Sequence, residues 1–360
     1  GPMTLLKTIW QRDGELVVAF GPDGEVTLAE LRRGSLQLAR AMARLAGPDR
    51  PGMRWALCFD DSLLFAQALL ACALGGHRAI LPGHQRLAGL QALQSQFDGL
   101  LTDGEPPGAA LAVPQLRLPL LVADDEREAD GAALPPERLD LTLFSSGSTG
   151  EPKAIPKAWP QLEAELRVQM ALWGERLVDT RVLASVSHQH IYGLLFRLLW
   201  PLASGRVFDA VTCALPDVLE ERLAFFGNSA LISSPAQLTR LPELLSLASI
   251  RPKLVAVFSS GGPLSANAAC VLSGGLGRAP IEIFGSTETG GVAWRQQGGT
   301  DGDLWTPFSG HTVCRSEGGA LLLNSPFLPD ERAWKMDDGI ELMADGRFRL
   351  LGRLDRVVKI

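Results

Sequence analysis

Several features that would direct a chain toward a particular function are scarce in this one. The 360 residues include five cysteines that are scattered without a C-x-x-C pair, so we expect reduced thiols in a cytoplasmic protein. No block of Lys and Arg stands out, and the net charge of −6 argues against nucleic-acid binding. The longest apolar stretch, Leu63 to Leu74, contains Gln67 and is too short to span a bilayer. The first residues lack the apolar core of a signal peptide, so we expect neither secretion nor a membrane span.

The chain is nevertheless rich in core-forming residues, since 46% of it is hydrophobic. This share excludes wholesale disorder, and the length suggests two or more domains or subdomains. In the first third, apolar runs at Leu16–Phe20, Trp55–Phe59 and Ala79–Leu81 predict strands, and helical patterns lie between them. Thr27 and Glu30 have the spacing of a capping box at the start of one such helix. This alternation predicts a parallel sheet with helices on both faces.

One stretch, Phe144 to Lys157, reads FSSGSTGEPKAIPK and is rich in glycine, in residues with hydroxyl groups and in lysine. An alternating apolar run precedes it, and apolar residues at helical spacing follow from Trp159. A strand, a Gly/Ser/Thr loop and then a helix commonly hold phosphate, because backbone N–H groups and hydroxyls point inward. The stretch fits neither the Walker loop G-x-x-x-x-G-K-[ST] nor the nucleophile elbow G-x-S-x-G of serine hydrolases. A Ser/Gly-rich surface loop is the structural alternative.

The pattern [ST]-S-G-[ST]-T-G-x-P-K in this stretch resembles the signature loop of the adenylate-forming superfamily. That superfamily contains acyl-CoA synthetases, aryl-acid ligases, nonribosomal peptide adenylation domains and luciferase. The resemblance implies that Lys153 is catalytic. It also implies that the loop binds the nucleotide through Ser145, Ser146, Gly147, Ser148, Thr149 and Gly150.

A second motif, HIYGL, starts at His190 and resembles a histidine-containing motif that lines the acyl pocket in this family. The resemblance implies that His190 lies beside the carboxylate end of the acid, as a catalytic and pocket residue. It makes Tyr192 a wall of the pocket, where a phenol can pack against an aryl ring and donate one hydrogen bond. The alternatives are a core histidine that caps a loop and a tyrosine that only packs. His188 is expected to be structural or solvated, and no Cys or second His cluster nearby suggests a metal site.

A third segment follows the predicted strand Leu254–Phe258, at the strand end where open α/β sheets bind ligands. It resembles the family's S-G-x-P-L loop, which runs under the adenine and the acyl pocket. Glycines in such a loop let a flat base lie against the backbone. The resemblance assigns nucleotide or acyl contacts to Ser260, Gly261, Gly262 and Pro263. An ordinary strand-ending turn is the alternative.

A fourth segment, IEIFGSTETGG, begins at Ile281 and resembles the family's aromatic-G-x-T-E motif. The resemblance implies that Phe284 stacks on adenine, Thr287 donates to the α-phosphate and Glu288 holds Mg²⁺. Gly285 and Ser286 are assigned to the nucleotide site and Gly290 to the acyl pocket. A strand capped by a Thr/Glu turn is the structural alternative.

The last segment contains Asp345-Gly346 between two apolar runs and predicts a β-hairpin. In the family a T-G-D precedes this turn at an interval that lands on Asp338, although Met336-Asp337 replace the T-G here. The resemblance implies that Asp338 accepts from the ribose hydroxyls. In the G-R-x-D match, Arg353 lies near the ribose or phosphate and Asp355 is the interdomain hinge. Solvated turn charges are the alternative for Asp338 and Arg353.

The family continues beyond that hinge with a small mobile domain that carries a lysine needed for adenylation. The chain ends soon after Asp355, and it begins with a Gly-Pro typical of a cleaved tag, so we expect the N-terminal part of a longer protein. The expected fold is α/β, with two αβα subdomains of largely parallel sheets and a small distorted β-barrel subdomain, without the mobile C-terminal domain. The expected boundaries are 1–135, 136–300 and 301–353, with 354–360 as the hinge.

The implied reaction is activation of a carboxylic acid by ATP and Mg²⁺ to an acyl-AMP, then transfer to a thiol of coenzyme A or of a carrier protein's phosphopantetheine. The HIYGL motif and the compact first subdomain resemble ligases of aryl-polyene pathways. They favour a hydroxyaryl acid such as 4-hydroxybenzoate or a cinnamate. A medium-chain fatty acid and a non-catalytic nucleotide- or acid-binding module remain open as alternatives.

Overall fold

The computed structural model describes residues 4–47, 50, 52–83, 86–121, 134–146 and 151–354. The chain divides into two compact units. Unit 1 comprises Gly1–Leu166 and Val182–Thr212, and unit 2 comprises Arg167–Arg181 and Cys213–Ile360. No helix within the described ranges combines the length and the apolar character that crossing a membrane requires.

The strands of the described ranges are numbered in chain order. They are β1 (Val17–Gly21), β2 (Gly24–Thr27), β3 (Arg54–Cys58), β4 (Arg78–Leu81), β5 (Gly99–Thr102), β6 (Gln115–Arg117), β7 (Asp140–Ser146), β8 (Pro152–Lys157), β9 (Arg181–Ala184), β10 (Val207–Thr212), β11 (Ser229–Ser233), β12 (Leu254–Ser260), β13 (Ile281–Ser286), β14 (Gly290–Gln296), β15 (Thr306–Pro307), β16 (Thr312–Arg315), β17 (Ala320–Asn324), β18 (Trp334–Leu342) and β19 (Phe348–Arg353).

The helices are numbered in the same way. They are α1 (Leu5–Trp10), α2 (Leu28–Ala46), α3 (Ser62–Leu74), α4 (Leu87–Ala92), α5 (Trp159–Trp173), α6 (Ile191–Gly193), α7 (Trp200–Ser204), α8 (Pro216–Phe226), α9 (Pro235–Leu244), α10 (Leu247–Ile250) and α11 (Ala266–Leu276). A π-helix, Leu194–Leu199, joins α6 to α7, and short 3-10 turns lie at Gln94–Gln96, Gly108–Ala110, Glu175–Leu177 and Arg251–Lys253.

Unit 1 contains a six-stranded sheet in the order β6-β5-β3-β4-β7-β8. Its neighbouring strands are parallel except for β7 and β8. A second group of strands has the order β9-β10-β1-β2, in which β1 is parallel to β10 and antiparallel to β2. The parallel arrangement predicted for the first third of the chain is therefore confirmed.

Helix α3 lies in the core of unit 1 and contacts strands of both groups, namely β3 and β4 as well as β1 and β10. It is apolar on all sides, which is the pattern of a helix buried all round. Asp61 caps it by accepting from the N–H groups of Leu63 and Leu64 at 2.9 Å. The apolar run Leu63 to Leu74 is thus a buried core helix. The predicted capping box of Thr27 and Glu30 is also confirmed, at the start of α2.

Unit 2 contains the strand order β15-β14-β13-β12-β11, with β11, β12 and β13 parallel and the remaining pairs antiparallel. A separate four-stranded antiparallel sheet follows in the order β16-β17-β18-β19. Buried side chains such as Trp305, Leu321, Leu323 and Phe348 form its core. The predicted hairpin at Asp345-Gly346 connects β18 to β19 and is confirmed.

Strand β8 differs from the sequence-based expectation, in which a helix follows the Gly/Ser/Thr loop directly. Pro152 and Pro156 argue against a strand, because proline has no N–H to donate to a ladder. Among the described strands, however, β8 lies at the edge of its sheet, where proline is tolerated. The loop therefore joins two antiparallel strands, and helix α5 begins at Trp159, where the apolar spacing predicted it.

Candidate active site

The glycine- and serine-rich loop of unit 1 joins β7 to β8. Ser145 pairs with Lys153 across this antiparallel hairpin, so the two side chains lie on the same face of it. The Lys153 side chain is exposed near the point where the loop begins. The predicted nucleotide-binding residues Gly147, Ser148, Thr149 and Gly150 lie outside the described residues, as does the side chain of Ser146.

His188, two residues before the predicted catalytic histidine, is buried and makes two hydrogen bonds. Its Nε2 lies 2.8 Å from the carbonyl oxygen of Phe59, and its Nδ1 lies 2.6 Å from Oγ of Ser62. Because a carbonyl only accepts, Nε2 carries the proton and Nδ1 accepts from the Ser62 hydroxyl. Phe65 stacks on the ring at 4.1 Å. Burial, with the nearby charge of Arg197, lowers the pKa of His188 to about 3, so it is a neutral structural residue at physiological pH.

Gln189 ties the same segment to β3. Its Nε2 donates to the carbonyl of Leu57 at 2.9 Å, and its Oε1 accepts from the N–H of Phe59 at 3.1 Å. His190 follows with an exposed side chain. A Cβ on Gly83 would lie 4.0 Å from Cε1 of His190. The imidazole is therefore beside the end of β4, the strand next to β7.

Gly193 and Arg197, which follow His190 in the chain, hold its segment in place. A Cβ on Gly193 would lie 1.8 Å from the carbonyl oxygen of Ser187, so only glycine allows α6 to pack this closely on the preceding loop. Arg197 is buried and donates to the carbonyl of Val186 at 2.9 Å and to Oγ1 of Thr212 at 2.6 Å. It thus links the loop to the end of β10.

Tyr192 lies between these anchors and is half-buried. Its ring packs against Phe196 with a centroid separation of 5.1 Å. Phe196 belongs to the π-helix, a feature that occurs frequently at functional sites. Tyr192 therefore lies on the short helix that leads into the π-helix. Its contact with Phe196 is a packing contact, as expected under the alternative that this tyrosine only packs.

In unit 2, the loop after β12 leaves the carboxyl end of the strand. The Ser260 hydroxyl donates to the carbonyl of Ile283 at 2.9 Å, which ties β12 to β13. Gly261 has a φ of 108°, a value that favours glycine. A Cβ on Gly261 or Gly262 would meet no described atom within 4 Å, so space lies open in front of the loop. Pro263 is exposed beside it.

A buried charged network fixes the end of this loop. Oε1 of Glu282 accepts from the N–H of Leu264 at 2.7 Å, and Gln297 donates to Oε2 at 2.8 Å. Arg295 donates to both carboxylate oxygens, at 2.8 and 3.0 Å, and also to the carbonyl of Leu264 at 3.0 Å. Its guanidinium lies 4.5 Å from the ring of Trp305. The loop position is therefore set by side chains that belong to β13 and β14.

The turn between β13 and β14 carries the Thr-Glu pair. The N–H of Ser286 donates to Oγ1 of Thr289 at 3.0 Å, the N–H of Thr289 donates to Oγ of Ser286 at 3.2 Å, and the two hydroxyls lie 2.8 Å apart. The Thr289 hydroxyl donates to the carbonyl of Gly290 at 2.8 Å, so the Ser286 hydroxyl donates to Thr289. This closed set of bonds fixes the turn that presents Thr287 and Glu288, both half-buried.

The residues just before this turn pack toward the core of the four-stranded sheet β16-β17-β18-β19. The ring of Phe284 lies 5.8 Å from Trp305 and 6.1 Å from Phe348, measured between centroids. A Cβ on Gly285 would lie 2.2 Å from the carbonyl of Gly290, so the hairpin requires glycine there. The predicted adenine-stacking residue is therefore a half-buried member of an aromatic cluster.

The two predicted ribose residues of the four-stranded sheet lie opposite each other. Asp338 on β18 pairs with Arg353 on β19, so their side chains lie on one face. Arg353 also donates to Asp337 at 3.4 Å. The predicted hinge residue, Asp355, lies outside the described residues.

The structure therefore brings the predicted residues together in separate groups. Unit 1 places His190 near the end of β4 and Lys153 on the hairpin that carries the loop. Unit 2 places the loop after β12 and the turn after β13 on neighbouring parallel strands. The sequence motifs did not indicate the residues that hold these groups, chiefly Glu282, Arg295, Gln189 and Thr289. For Glu282, the sequence did offer a signal, because a charged residue between Ile281 and Ile283 is unusual in a buried strand.

The donor set of unit 2 suits a magnesium–nucleotide complex better than a metal bound by protein alone. Within the described ranges, no group of three or more His, Cys, Asp or Glu side chains is arranged to hold a metal. Mg²⁺ usually binds one or two carboxylates together with phosphate oxygens and water. Glu288 and the Thr287 hydroxyl on the fixed turn have this chemistry, and the open space at Gly261 and Gly262 accommodates a flat group.

Comparison with known proteins identifies the class of the chain. The family model described as AMP-binding enzyme matches residues 8–314. The chain therefore belongs to the AMP-binding enzyme family. This result confirms the resemblance that the sequence motifs indicated.

One curated relative and two solved structures resemble the chain. A 4-coumarate–CoA ligase from Rhodobacter capsulatus is 30% identical over 228 residues, which cover 62% of this chain and 54% of that protein. The chain thus spans about half the length of this curated relative. ATP-bound MatB from Rhodopseudomonas palustris has a TM-score of 0.80 at 18% identity, over 97% of this chain and 78% of the other. An O-succinylbenzoate coenzyme A synthetase from Bacillus subtilis in complex with AMP has a TM-score of 0.80 at 17% identity, over 98% of each chain. These structures confirm the predicted fold class.

Proposed function

We propose that this chain carries the nucleotide- and acid-binding part of an ATP-dependent acid–thiol ligase. One observation carries the proposal. In unit 2, the Gly-Gly-Pro loop and the Thr-Glu turn leave neighbouring parallel strands at their carboxyl ends, the edge at which open α/β sheets bind ligands. Family membership over residues 8–314 supports the same conclusion.

The nucleotide would lie against this edge. Gly261 and Gly262 leave room for adenine. Phe284 offers an aromatic ring and follows Ile283, the residue that pairs with Ser260 on the neighbouring strand. Asp338 and Arg353, paired across β18 and β19, offer an acceptor and a donor for the ribose. Thr287 would donate to the α-phosphate.

Glu288 would hold Mg²⁺ together with phosphate oxygens. When bound, the ion neutralises charge on the phosphates and on the departing pyrophosphate. The closed hydrogen bonds of Ser286 and Thr289 keep the Glu288 backbone in place, so little reorganisation is needed when the nucleotide binds.

The proposed first step is in-line attack of the substrate carboxylate on the α-phosphate of ATP, which forms an acyl-AMP and releases pyrophosphate. Two anions must approach each other, and negative charge builds on the leaving group. Lys153, on β8 directly after the Gly/Ser/Thr loop, supplies a positive charge. In the second step a thiol attacks the acyl carbon, forms the thioester and releases AMP.

The proposed acid is a hydroxyaryl acid such as 4-hydroxybenzoate or a cinnamate. His190 and Tyr192 would line its pocket, with the imidazole near the carboxylate. The 4-coumarate–CoA ligase relative supports this class at 30% identity. The names of the relatives favour coenzyme A as the thiol, and the phosphopantetheine of a carrier protein is the second acceptor to test.

The first experiment measures binding by this chain itself. We expect Mg·ATP to raise the melting temperature, and a hydroxyaryl acid to raise it further, while decanoate adds nothing. A ligand at one hundred times its Kd adds about 2.7 kcal/mol to the free energy of unfolding. A shift with decanoate alone would instead support the fatty acyl alternative.

The second experiment measures acid-dependent pyrophosphate release by the natural gene product. We expect Lys153→Ala and Glu288→Ala each to lower turnover about a hundredfold, because removing one group that stabilises the developing charge, directly or through Mg²⁺, costs about 3 kcal/mol of transition-state stabilisation. Lys7→Ala and the exposed hairpin residue Glu317→Ala are the matched controls and should retain normal rates. Nucleotide binding without any pyrophosphate release would favour the non-catalytic binding module. Normal turnover in either variant would refute the role of that residue.

A further inference from the structure

Unit 2 contains a second concave region at the opposite end of the strands that carry the candidate site. This cavity has a volume of about 480 Å³ and is lined by the first residues of β12 and β13. The candidate nucleotide loops leave the last residues of the same strands. Because a seven-residue strand is roughly 20 Å long, the cavity is separate from the loops at Gly261 and Thr287.

Three arginines define the mouth of the cavity. Arg176 follows α5, Arg251 opens a 3-10 turn before β12, and Arg278 follows α11. Asp and Glu are missing from the described lining, and within the described ranges none of the three guanidinium groups forms a salt bridge. Several other surface arginines of unit 2 behave differently, since Arg332, Arg347 and Arg349 each pair with an aspartate.

Apart from the arginine charges, the lining consists of an apolar floor and a polar rim. The floor is apolar and includes Val255, Val257 and Leu276. At the rim, the guanidinium of Arg251 lies against the backbone at Gly277, where a Cβ would be only 2.8 Å from Nη2. Gln296 donates to the carbonyl of Ala279 at 2.9 Å, which joins the end of β14 to the segment before β13.

We propose that this cavity binds a small organic phosphate, with its anionic group at the three arginines and its apolar part on the floor. Guanidinium groups match phosphate oxygens through paired charge-assisted hydrogen bonds. Three positive charges without carboxylate partners repel one another, and a dianion relieves that repulsion. The apolar floor distinguishes an organic phosphate from inorganic phosphate.

Phenyl phosphate and inorganic phosphate are suitable probes for calorimetric titration of this chain in the presence of saturating AMP. We expect phenyl phosphate to bind at one site and more tightly than inorganic phosphate. Each of Arg176→Gln, Arg251→Gln and Arg278→Gln should weaken binding about tenfold, the change expected when one charge-assisted hydrogen bond is lost. Arg240→Gln, an exposed arginine on α9 outside the lining, should leave the affinity unchanged.

Several outcomes would overturn the proposal. Displacement of phenyl phosphate by AMP would place it at the nucleotide site instead. Equal affinity for both probes would contradict a role for the apolar floor. Absence of saturable binding, or equal loss in Arg240→Gln and the three lining variants, would show that the arginines do not form a site. Because the three side chains are exposed, unchanged melting temperatures should accompany the variants.

Discussion

The two units hold their candidate site segments in chemically different ways. In unit 2, a buried carboxylate and guanidinium fix the loop after β12, with Glu282 accepting from Leu264 and from both nitrogens of Arg295 that face it. In unit 1, the neutral side chains of Gln189 and His188 bond the segment before His190 to the backbone of β3 and the residue after it, and Arg197 adds a bond to the carbonyl of Val186. Both arrangements connect a site segment to the backbone or side chains of a neighbouring strand.

The difference predicts which change would disturb each segment. A buried ion pair is costly to break, because removal of one partner leaves an unpaired charge in a region of low dielectric. A neutral network loses less when one bond is removed, but it depends on the imidazole remaining uncharged. The loop of unit 2 should therefore be sensitive to substitution, and the segment of unit 1 should be sensitive to acid.

The largest effect is expected from Glu282→Gln. The substitution removes the ion-pair partner of Arg295, whose side chain is only 10% exposed. We expect a loss of about 3–5 kcal/mol in the free energy of unfolding, as for other broken buried pairs. Chemical denaturation measures this loss. The matched control is Glu341→Gln, which removes an exposed partner of Arg349 at 3.7 Å and should cost less than about 1 kcal/mol. Similar losses in the two variants would contradict the special role of the network.

Close backbone contacts provide an intermediate test in both units. Gly193→Ala would place a Cβ 1.8 Å from the carbonyl of Ser187, and Gly285→Ala would place one 2.2 Å from the carbonyl of Gly290. We expect each to lower the stability by about 1–3 kcal/mol, because backbone must move.

The control for these two substitutions is Gly274→Ala in α11. A Cβ there would meet no described atom within 4 Å. Alanine should therefore raise the stability by about 0.5–1 kcal/mol, since glycine is unfavourable inside a helix. Thermal or denaturant unfolding compares the three variants, and a stable Gly193→Ala protein would show that the loop at Ser187 can move freely.

Local patterns in the sequence were sufficient to predict much of the fold. The spacing of Thr27 and Glu30 predicted a helix start, and Asp345-Gly346 predicted a hairpin, because both features depend on residues close in the chain. Strand β8 was missed, since Pro152 and Pro156 are unfavourable in a strand unless it lies at an edge. An edge position is a property of the whole sheet and is not encoded in the segment itself.

The candidate site shows the same division. The motifs predicted which loops belong to it, but the residues that fix those loops come from distant positions. Glu282 meets Arg295 only because β13 and β14 pair in one particular register. Gln189 reaches Leu57 across more than a hundred residues of sequence. Such contacts follow from tertiary packing, so a local pattern can mark Glu282 as unusual but cannot identify its partner.

The smallest expected effect concerns pH and tests the neutral network of unit 1. Burial lowers the pKa of His188 to about 3 in the native state, whereas an unfolded histidine titrates near 6.5. Below this value the unfolded chain takes up a proton that the native state does not bind, so stability falls as the pH falls toward 3. We expect a loss of about 1 kcal/mol between pH 6.5 and 5.5 from this residue alone.

Denaturant unfolding at several pH values gives the free energy of unfolding, and the loss is measured as the slope of that free energy against pH. His188→Gln removes the titrating group, so its stability should depend less on pH than that of the unaltered chain, whatever its absolute stability. Gly274→Ala changes no titratable group and should keep the original slope. If His188→Gln and the unaltered chain lose stability equally between pH 6.5 and 5.5, the ring takes up a proton over this range in the native state as well. The hydrogen bond from Ser62 to Nδ1 would then be wrong, because a protonated Nδ1 cannot accept it.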